Sequence, residues 1–218
     1  MNLGRRKFLT FATAAVVGTK LSPLSPIIST EKHFIDNRLG FGFAVPDGWK
    51  VDSFSPSFKD FNKRQILTDE FEQTEELREQ RDEILEGLQD GLSAVVRKNP
   101  DKPFCPGVAF YMDTEVAEDD SLIQIVEDTL EVFSRVFKEY RSLQDPEVIT
   151  GSNFKAIHSK FNYLFEHEGL PEPTMIDCEG LALHYNETLY SITMYDSPYI
   201  GESAQREFSL FKESLHLI

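Results

Sequence analysis

The sequence predicts an α+β domain in which about three helices cover a mostly antiparallel sheet of about six strands. Segments of alternating apolar residues follow one another directly, as in residues 176–185 and 188–195, which form a predicted hairpin across Asn186-Glu187. Between such segments lie stretches whose apolar residues recur at helical spacing. Strands that are adjacent in sequence pair antiparallel, and a helix with one apolar face packs on a sheet.

The other strands are predicted from the same two-residue alternation of apolar side chains. Phe41, Phe43 and Val45 alternate with small residues, Pro46-Asp47-Gly48 reads as a turn, and Trp49 resumes extended structure as a core anchor. Further strands are predicted at residues 92–96, 107–112 and 155–165.

Three segments predict helices. Residues 69–90 are dense in Glu and Arg, and Asp69 with Glu72 suits a capping arrangement, so we expect a mostly exposed helix there. The strongest helical pattern is a capping box of Ser121 and Gln124, followed by apolar residues at helical spacing as far as Tyr140. A short helix is predicted near the C terminus, with its apolar stripe at Ala204, Phe208, Phe211 and Leu215.

The net charge of the chain limits the kinds of molecule that it can bind. The chain has 218 residues and a formal net charge of -15. Residues 33–218 hold 17 of the 22 basic and 36 of the 37 acidic residues, a net of -19. Such a domain is repelled by phosphate backbones and by anionic lipid, which excludes nucleic acid and anionic membrane surfaces as partners. Basic proteins or cations suit it better, although a solvated acidic surface also serves solubility alone.

The N-terminal residues have the layout of an export signal. Arg5, Arg6 and Lys7 precede an uncharged run from Phe8 to Thr19, which is too short to span a bilayer comfortably. Arg5-Arg6-Lys7-Phe8-Leu9 resembles the twin-arginine consensus, in which Arg5, Arg6, Phe8 and Leu9 are the matching residues. That resemblance implies export of folded cargo by the twin-arginine translocase.

We therefore divide the chain into residues 1–32, a signal and linker, and residues 33–218, a single domain. The predicted location is the bacterial periplasm or another exported compartment. The signal is either cleaved within residues 21–31 or retained as an N-terminal anchor. Cys105 and Cys178 both lie in the exported part, where they could form one disulfide or remain two buried thiols.

The two ends of the domain resemble the PsbP/Mog/DcrB-like superfamily. Residues 39–49, L-G-F-G-F-A-V-P-D-G-W, are similar to its opening: a short aromatic strand, a proline, a tight turn and a tryptophan. The end is similar too, with a strand at 189–195, a Ser-Pro loop, a short helix containing Phe208 and Phe211, and a last strand. The resemblance implies an α/β/α sandwich around the antiparallel sheet. It also implies a non-enzymatic role in assembly, chaperoning or immunity.

The sequence offers few candidates for chemistry. No nucleophile elbow, Walker loop or dinucleotide motif occurs, and we predict no cofactor. An acidic cluster before the second helix is a candidate metal site, although its position at a helix N-terminus explains it equally well. The cluster comprises Asp113, Glu115, Glu118, Asp119 and Asp120. The aromatic loop residues Tyr195, Pro198 and Tyr199 are a candidate partner surface, with ordinary edge packing as the alternative.

These observations predict an exported, non-catalytic binding or accessory protein that engages a protein partner. The alternative function is a periplasmic metal- or small-ligand-binding protein.

Overall fold

The computed structural model describes residues 27–29, 32–36, 40–51, 65–90, 92–99, 104–114, 121–151, 153–168, 170–197 and 203–218. The strands are β1 (Ile27–Ser29), β2 (His33–Asp36), β3 (Phe41–Ala44), β4 (Trp49–Val51), β5 (Gln65–Ile66), β6 (Leu92–Lys98), β7 (Gly107–Asp113), β8 (Lys138–Thr150), β9 (Lys155–His167), β10 (Thr174–Tyr185), β11 (Thr188–Asp196) and β12 (His216–Leu217). The α-helices are α1 (Glu75–Asp90), α2 (Leu122–Val136) and α3 (Gln205–Ser214), and a 3₁₀ helix spans Asp69–Glu72.

The strands of the described residues form two antiparallel sheets, which with the helices make an α+β fold. The larger has eight strands in the order β4-β6-β7-β11-β10-β9-β5, with β8 also paired to β9. The smaller has four strands in the order β1-β2-β3-β12. The expectation of one sheet of about six strands is therefore wrong, because several strands are too short or too exposed to show an alternating pattern of apolar residues.

The predicted hairpin is confirmed as the centre of the larger sheet. β10 and β11 pair in register from Asp177↔Asp196 to Tyr185↔Thr188. Asn186 and Glu187 both have positive φ, at 48° and 60°, which is the backbone pattern of the tight turn that joins strands with the natural twist. Trp49 is confirmed as a core residue, since it is buried and packs edge-on to Phe208.

The two faces of the larger sheet carry different cores. Leu181 and Leu183 of β10 pack with the small sheet and with Phe208 and Phe211 of α3. Ala182 points to the opposite face because successive strand residues alternate. There it packs with Val126 of α2. Helix α3 and the small sheet thus cover one face, and α2 covers part of the other.

The helices begin and end differently from the prediction. The acidic segment is a 3₁₀ turn followed by α1, whose start is capped by Thr74 Oγ1, which accepts the Leu77 N–H at 3.2 Å. Within the described residues Ser121 makes no side-chain capping bond to α2, and Gln124 donates to Asp128 instead. Both predicted capping arrangements are therefore wrong.

Strand β8 occupies residues assigned in part to the second predicted helix. Helix α2 ends at Val136, and the chain continues as the thirteen residues of β8, which pair with β9. β8 lacks an alternating pattern because most of its side chains are exposed and three register shifts interrupt its pairing. Pro146 fits this edge position, where a missing N–H costs no pairing.

The predicted linker at residues 21–32 also contains structure. Ile27–Ser29 form β1, which pairs antiparallel with β2 from Ile27↔Asp36 to Ser29↔Phe34. That part of the segment therefore belongs to the folded domain. The twin-arginine residues Arg5, Arg6, Phe8 and Leu9 lie outside the described residues.

A buried carboxylate fixes the entry into α3, and its removal is testable. Asp196 Oδ1 accepts the Ser197 N–H and Oδ2 accepts the Ala204 N–H, each at 2.7 Å. Asp196→Ala leaves two buried donors unsatisfied, so we expect a loss of about 1–3 kcal/mol in the free energy of unfolding. Urea denaturation measures it, with the exposed Asp145→Ala as control. Equal effects of the two substitutions would contradict this account.

Candidate binding cleft beside the C-terminal helix

Helix α3 is held on the sheet by an apolar face and by two ion pairs. Phe208 and Phe211 are buried in the main core. On one side, Lys98 of β6 pairs with Glu207 at 2.8 Å. On the other side, Lys212 pairs with Glu179 of β10. These contacts fix the helix across the strands and define the wall of a cleft.

Glu179 is a charged residue at an inward position of an apolar strand face. Only 5% of its surface is exposed, and it shares its face of β10 with Leu181 and Leu183. Its Oε1 accepts a hydrogen bond from Lys212 and lies 2.6 Å from Nε2 of His158 on β9. A buried carboxylate requires such partners, because desolvation penalises its charge.

The partners decide the protonation state of Glu179. Burial would raise the pKa of its carboxyl group, but the hydrogen bond and positive charge of Lys212, together with the hydrogen bond from His158, outweigh burial. The pKa is held below its ordinary value, so the group is ionised at neutral pH.

The edge strand β8 completes this polar network. Its register shifts place Gln144 opposite Lys160 and Glu147 opposite His158. Glu147 Oε1 lies 3.5 Å from Nδ1 of His158 and accepts a hydrogen bond from Gln144 Nε2 at 2.6 Å. The bulges thus turn polar side chains of β8 over the histidine, linking β8, β9, β10 and α3.

A cleft of about 120 Å³ opens beside this network. Its lining residues are Leu143, Lys160, Asp177, Cys178, Glu179, Met194, Gln205 and Phe208. Met194 and Phe208 are fully buried, whereas 55% of Leu143 is exposed. The cleft holds about four water volumes and is smaller than the roughly 300–1,000 Å³ typical of small-molecule pockets. Its volume is close to that of one large amino-acid side chain.

Of the predicted aromatic surface, Tyr195 lies in the described structure. Tyr195 lies within β11, half-buried, and packs 6.2 Å from Phe104 and against Gly107. A side chain at Gly107 would collide with its phenol. Burial raises the pKa of Tyr195 far above its ordinary value. Tyr195 thus takes part in packing within the fold, Pro198 and Tyr199 lie outside the described residues, and the partner surface stays a prediction.

The two cysteines are separate and buried. Within the described chain no disulfide joins Cys105 to Cys178. Cys178 is paired with Tyr195 in register, and Tyr195 with Gly107, so strand β11 separates Cys178 from the strand that follows Cys105. Two strand spacings, about 10 Å, therefore separate Cys178 from Gly107, whereas a disulfide joins Cα atoms about 4.4–6.8 Å apart. Burial also raises the pKa of the Cys178 thiol, so it is unreactive at neutral pH.

Of the predicted metal ligands, one lies in the described structure. Asp113 ends β7, buried, opposite Leu189 of β11. Glu115, Glu118, Asp119 and Asp120 lie outside the described residues. Across the described ranges no group of three or more His, Cys, Asp or Glu side chains is placed to hold a metal ion.

The network at Glu179 was missed from the sequence. Its members come from three strands and a helix, so no local motif joins Gln144, Glu147, His158, Glu179 and Lys212. One signal was available. Glu179 keeps the period of Leu181 and Leu183, so it is a carboxylate on the core-facing side of a strand, and such a residue needs a partner.

Comparisons with known proteins find similar folds. The chain aligns with the solution structure of cyanobacterial PsbP (CyanoP) from Synechocystis sp. PCC 6803 at 10% identity and a TM-score of 0.48, over 90% of this chain and 100% of that one. It aligns with LpqN of Mycobacterium tuberculosis, described as involved in cell envelope biogenesis, at 9% identity and a TM-score of 0.49, over 81% and 82% of the two chains.

A protein from Bacteroides thetaiotaomicron VPI-5482 aligns at 12% identity and a TM-score of 0.47, over 87% of this chain and 49% of that one, so the match spans about half of that protein. The structures that align with this chain thus include a PsbP protein, the kind of protein that the two ends of the domain resemble in sequence. The sequence matches no protein-family model, and no curated protein matches it. None of the helices in the described ranges is both long and apolar enough to cross a membrane.

Because the pKa of Glu179 is lowered in the folded state, the free energy of unfolding should depend on pH, and the direction of that dependence follows. A carboxyl group whose pKa is lower in the folded state adds stability above its unfolded pKa of about 4.3 and loses it as the pH falls through the folded value. We expect Glu179→Gln to lower the free energy of unfolding at pH 7 by about 1–3 kcal/mol, with a smaller deficit in acid. Urea denaturation from pH 7 to pH 3 measures this.

The matched control is Glu213→Gln, which removes an exposed carboxylate from the same helix. A Glu179→Gln deficit that stays constant across the pH range would show that the ionised carboxylate is not the stabilising group.

Proposed function

We propose that this chain is an exported, non-catalytic binding or accessory protein, of the assembly, chaperone or immunity type, which engages a protein partner at the cleft beside α3. The observation that carries the proposal is the composition of that cleft. An exposed leucine stands over a buried apolar floor within a rim of charged and amide groups. Protein interfaces concentrate their energy where one anchoring side chain enters such a pocket.

The size of the cleft favours a protein side chain over a free ligand. Met194 and Phe208 supply apolar contact at its base, and Leu143 extends that contact to the rim. Lys160, Asp177 and Gln205 surround it with hydrogen-bonding groups. An apolar centre inside a polar rim is the usual anatomy of a protein interface.

Charge supports a basic partner. Residues 33–218 carry a net charge of -19, and α1 exposes the carboxylates of Glu75, Glu76 and Glu79. A field of one sign accelerates encounter with a partner of opposite sign and weakens as salt is added. The partner's rate of association should accordingly fall with ionic strength.

We also propose that the fold is an α/β/α sandwich of the PsbP/Mog/DcrB-like kind. Helices α2 and α3 pack on opposite faces of the larger sheet, which supports this description. Export rests on the twin-arginine resemblance of residues 5–9, which also implies that the domain reaches its partner already folded.

The cleft is tested with two leucines of similar exposure. Leu143 is 55% exposed on the rim, and Leu210 is 50% exposed on α3 outside the cleft lining. A photo-crosslinking residue at position 143 should capture a partner in the native cell, and one at position 210 should not. For the captured partner, Leu143→Asp should raise the Kd about ten-fold or more, whereas Leu210→Asp should leave it unchanged.

Both aspartate variants should retain the thermal midpoint of the parent, because both side chains are exposed. Equal capture from positions 143 and 210, or none from 143, would count against the cleft as the binding site.

Export is tested separately with a reporter fused to residues 1–32. Arg5→Lys combined with Arg6→Lys should abolish translocation, because the paired arginines are the recognised feature of the signal. Lys20→Arg, which keeps the charge outside the motif, should leave it unchanged. Fractionation with and without an active twin-arginine translocase measures the outcome, and a double variant that is still exported would exclude this route.

A further inference from the structure

The cleft beside α3 places charged side chains of β9 and β10 next to an apolar floor. In the antiparallel register Lys160 lies opposite Glu179, and Asn162 lies opposite Asp177. Asp177 and Glu179 project from the same face of β10, because side chains two residues apart in a strand share a face. Lys160, Asp177 and Glu179 all line the cleft. A group that enters it therefore meets one cation and two carboxylates.

The charge of Glu179 is already matched by groups of the protein itself. Lys212 pairs with it from α3, and His158 Nε2 lies 2.6 Å from its Oε1. The positive charge of Lys160 also acts on Glu179 and contributes to lowering the pKa of its carboxyl group. Because these groups share the carboxylate, a cationic ligand gains little by approaching it.

Asp177 has no such counter-charge. In the described part of the chain its carboxylate forms no ion pair, and its side chain makes one hydrogen bond, in which Asn162 Nδ2 donates to Oδ1 at 3.4 Å. Arg141 of β8 lies opposite Asn162, so strand β9 separates it from Asp177. A half-buried carboxylate without a cation is poorly solvated, and its Oδ2 is left to accept from a ligand.

The apolar floor selects a long side chain over a free ion. Met194 and Phe208 are fully buried, and Leu143 continues the apolar surface to the rim. A charged side chain that enters this cleft buries its hydrocarbon stem against such residues while its head binds a polar group. Arginine supplies that stem. Its guanidinium is less strongly hydrated than an ammonium and donates two parallel N–H groups to a carboxylate.

We propose that the cleft beside α3 receives an arginine side chain of the protein partner, and that Asp177 is the residue that recognises its guanidinium. The methylene stem packs on Met194 and Phe208, and the guanidinium donates to Asp177. The net charge of -19 on residues 33–218 attracts such a cation from a distance, whereas Lys160 opposes it locally. This inference rests on the proposed binding function and deepens it by naming the side chain that enters the cleft.

Two small probes of nearly the same shape test the role of charge. The first is N-acetyl-argininamide, and the second is its citrulline analogue, which lacks the positive charge. The readout is the NMR signal of the methionine methyl groups, because Met194 lies on the cleft floor and Met112 packs elsewhere against the main core. N-acetyl-argininamide should shift the Met194 signal in a saturable way and leave the Met112 signal unchanged. The citrulline probe should bind about ten-fold more weakly or not at all.

Substitution of the two cleft charges should change the affinity for N-acetyl-argininamide in opposite directions. Asp177→Asn should weaken binding about ten-fold or more, because it removes the acceptor charge. Lys160→Gln should strengthen binding about two- to five-fold, because it removes a repulsion. Asp47→Asn and Lys50→Gln make the same charge changes at exposed positions outside the cleft lining and should leave the affinity unchanged. If Asp177→Asn does not fold, the two probes on the parent and on Lys160→Gln decide.

The inference is overturned if Met194 shows no saturable shift, if the arginine and citrulline probes bind equally, or if Asp177→Asn binds like the parent. Weaker binding in Lys160→Gln would also overturn it, since the occupant would then need that lysine. Equal affinity for N-acetyl-lysinamide would overturn the assignment to arginine. Crosslinking at position 143 is independent of these results. Capture there without a charge effect removes this inference alone, and probe binding without capture removes the proposed function alone.

Discussion

The contact on which the rest of the structure depends is an aromatic stack between the two sheets. Phe110 of β7 lies parallel to Phe41 and Phe43 of β3, at centroid distances of 4.6 and 5.2 Å. Phe211 of α3 meets Phe110 edge-on at 5.6 Å. Each aromatic pair adds about 0.5–1.5 kcal/mol beyond its buried area. One side chain of the larger sheet therefore fixes the small sheet and the C-terminal helix together.

This stack explains why the cleft has its shape. With Phe211 held in the core, Phe208 falls one turn earlier on the same side of α3 and forms the cleft floor with Met194. Lys212 then reaches over the buried carboxylate of Glu179 and pairs with it. Desolvation offsets much of the attraction within such a pair, although removing one partner alone leaves the other charge without its counter-ion. Its effect is positional, since it sets the helix at one distance from β10.

Sequence patterns predicted the parts of this fold that obey a simple period. The hairpin of β10 and β11, the buried Trp49 and the stripe of Phe208 and Phe211 each follow from local alternation or helical spacing. Strand β8 was not predicted because it is exposed and bulged, so its apolar residues follow no regular period. Strands β1 and β2 were not predicted because a strand of three or four residues is too short to show a period.

The candidate site was less predictable than the fold, for a physical reason. His158 lies opposite Leu181 on the core-facing side of β9, and its partners Glu147 and Gln144 come from a separate strand, β8, that pairs beside it. The cleft depends on a register set by bulges, and bulges leave no reliable mark in a sequence. Only the inward position of Glu179 could be read beforehand, since a buried carboxylate requires a cation within reach.

The edge strand also limits how the proposed partner could bind. An open edge normally invites another strand to pair with it. In β8, the register shifts and Pro146 interrupt the outward row of N–H groups, so no long ladder can be added there. The same shifts turn Leu143 toward the cleft and Gln144 and Glu147 toward His158. The irregularity that protects the edge from strand pairing thus also builds the rim of the cleft, and it favours recognition through a single inserted side chain over recognition through backbone pairing.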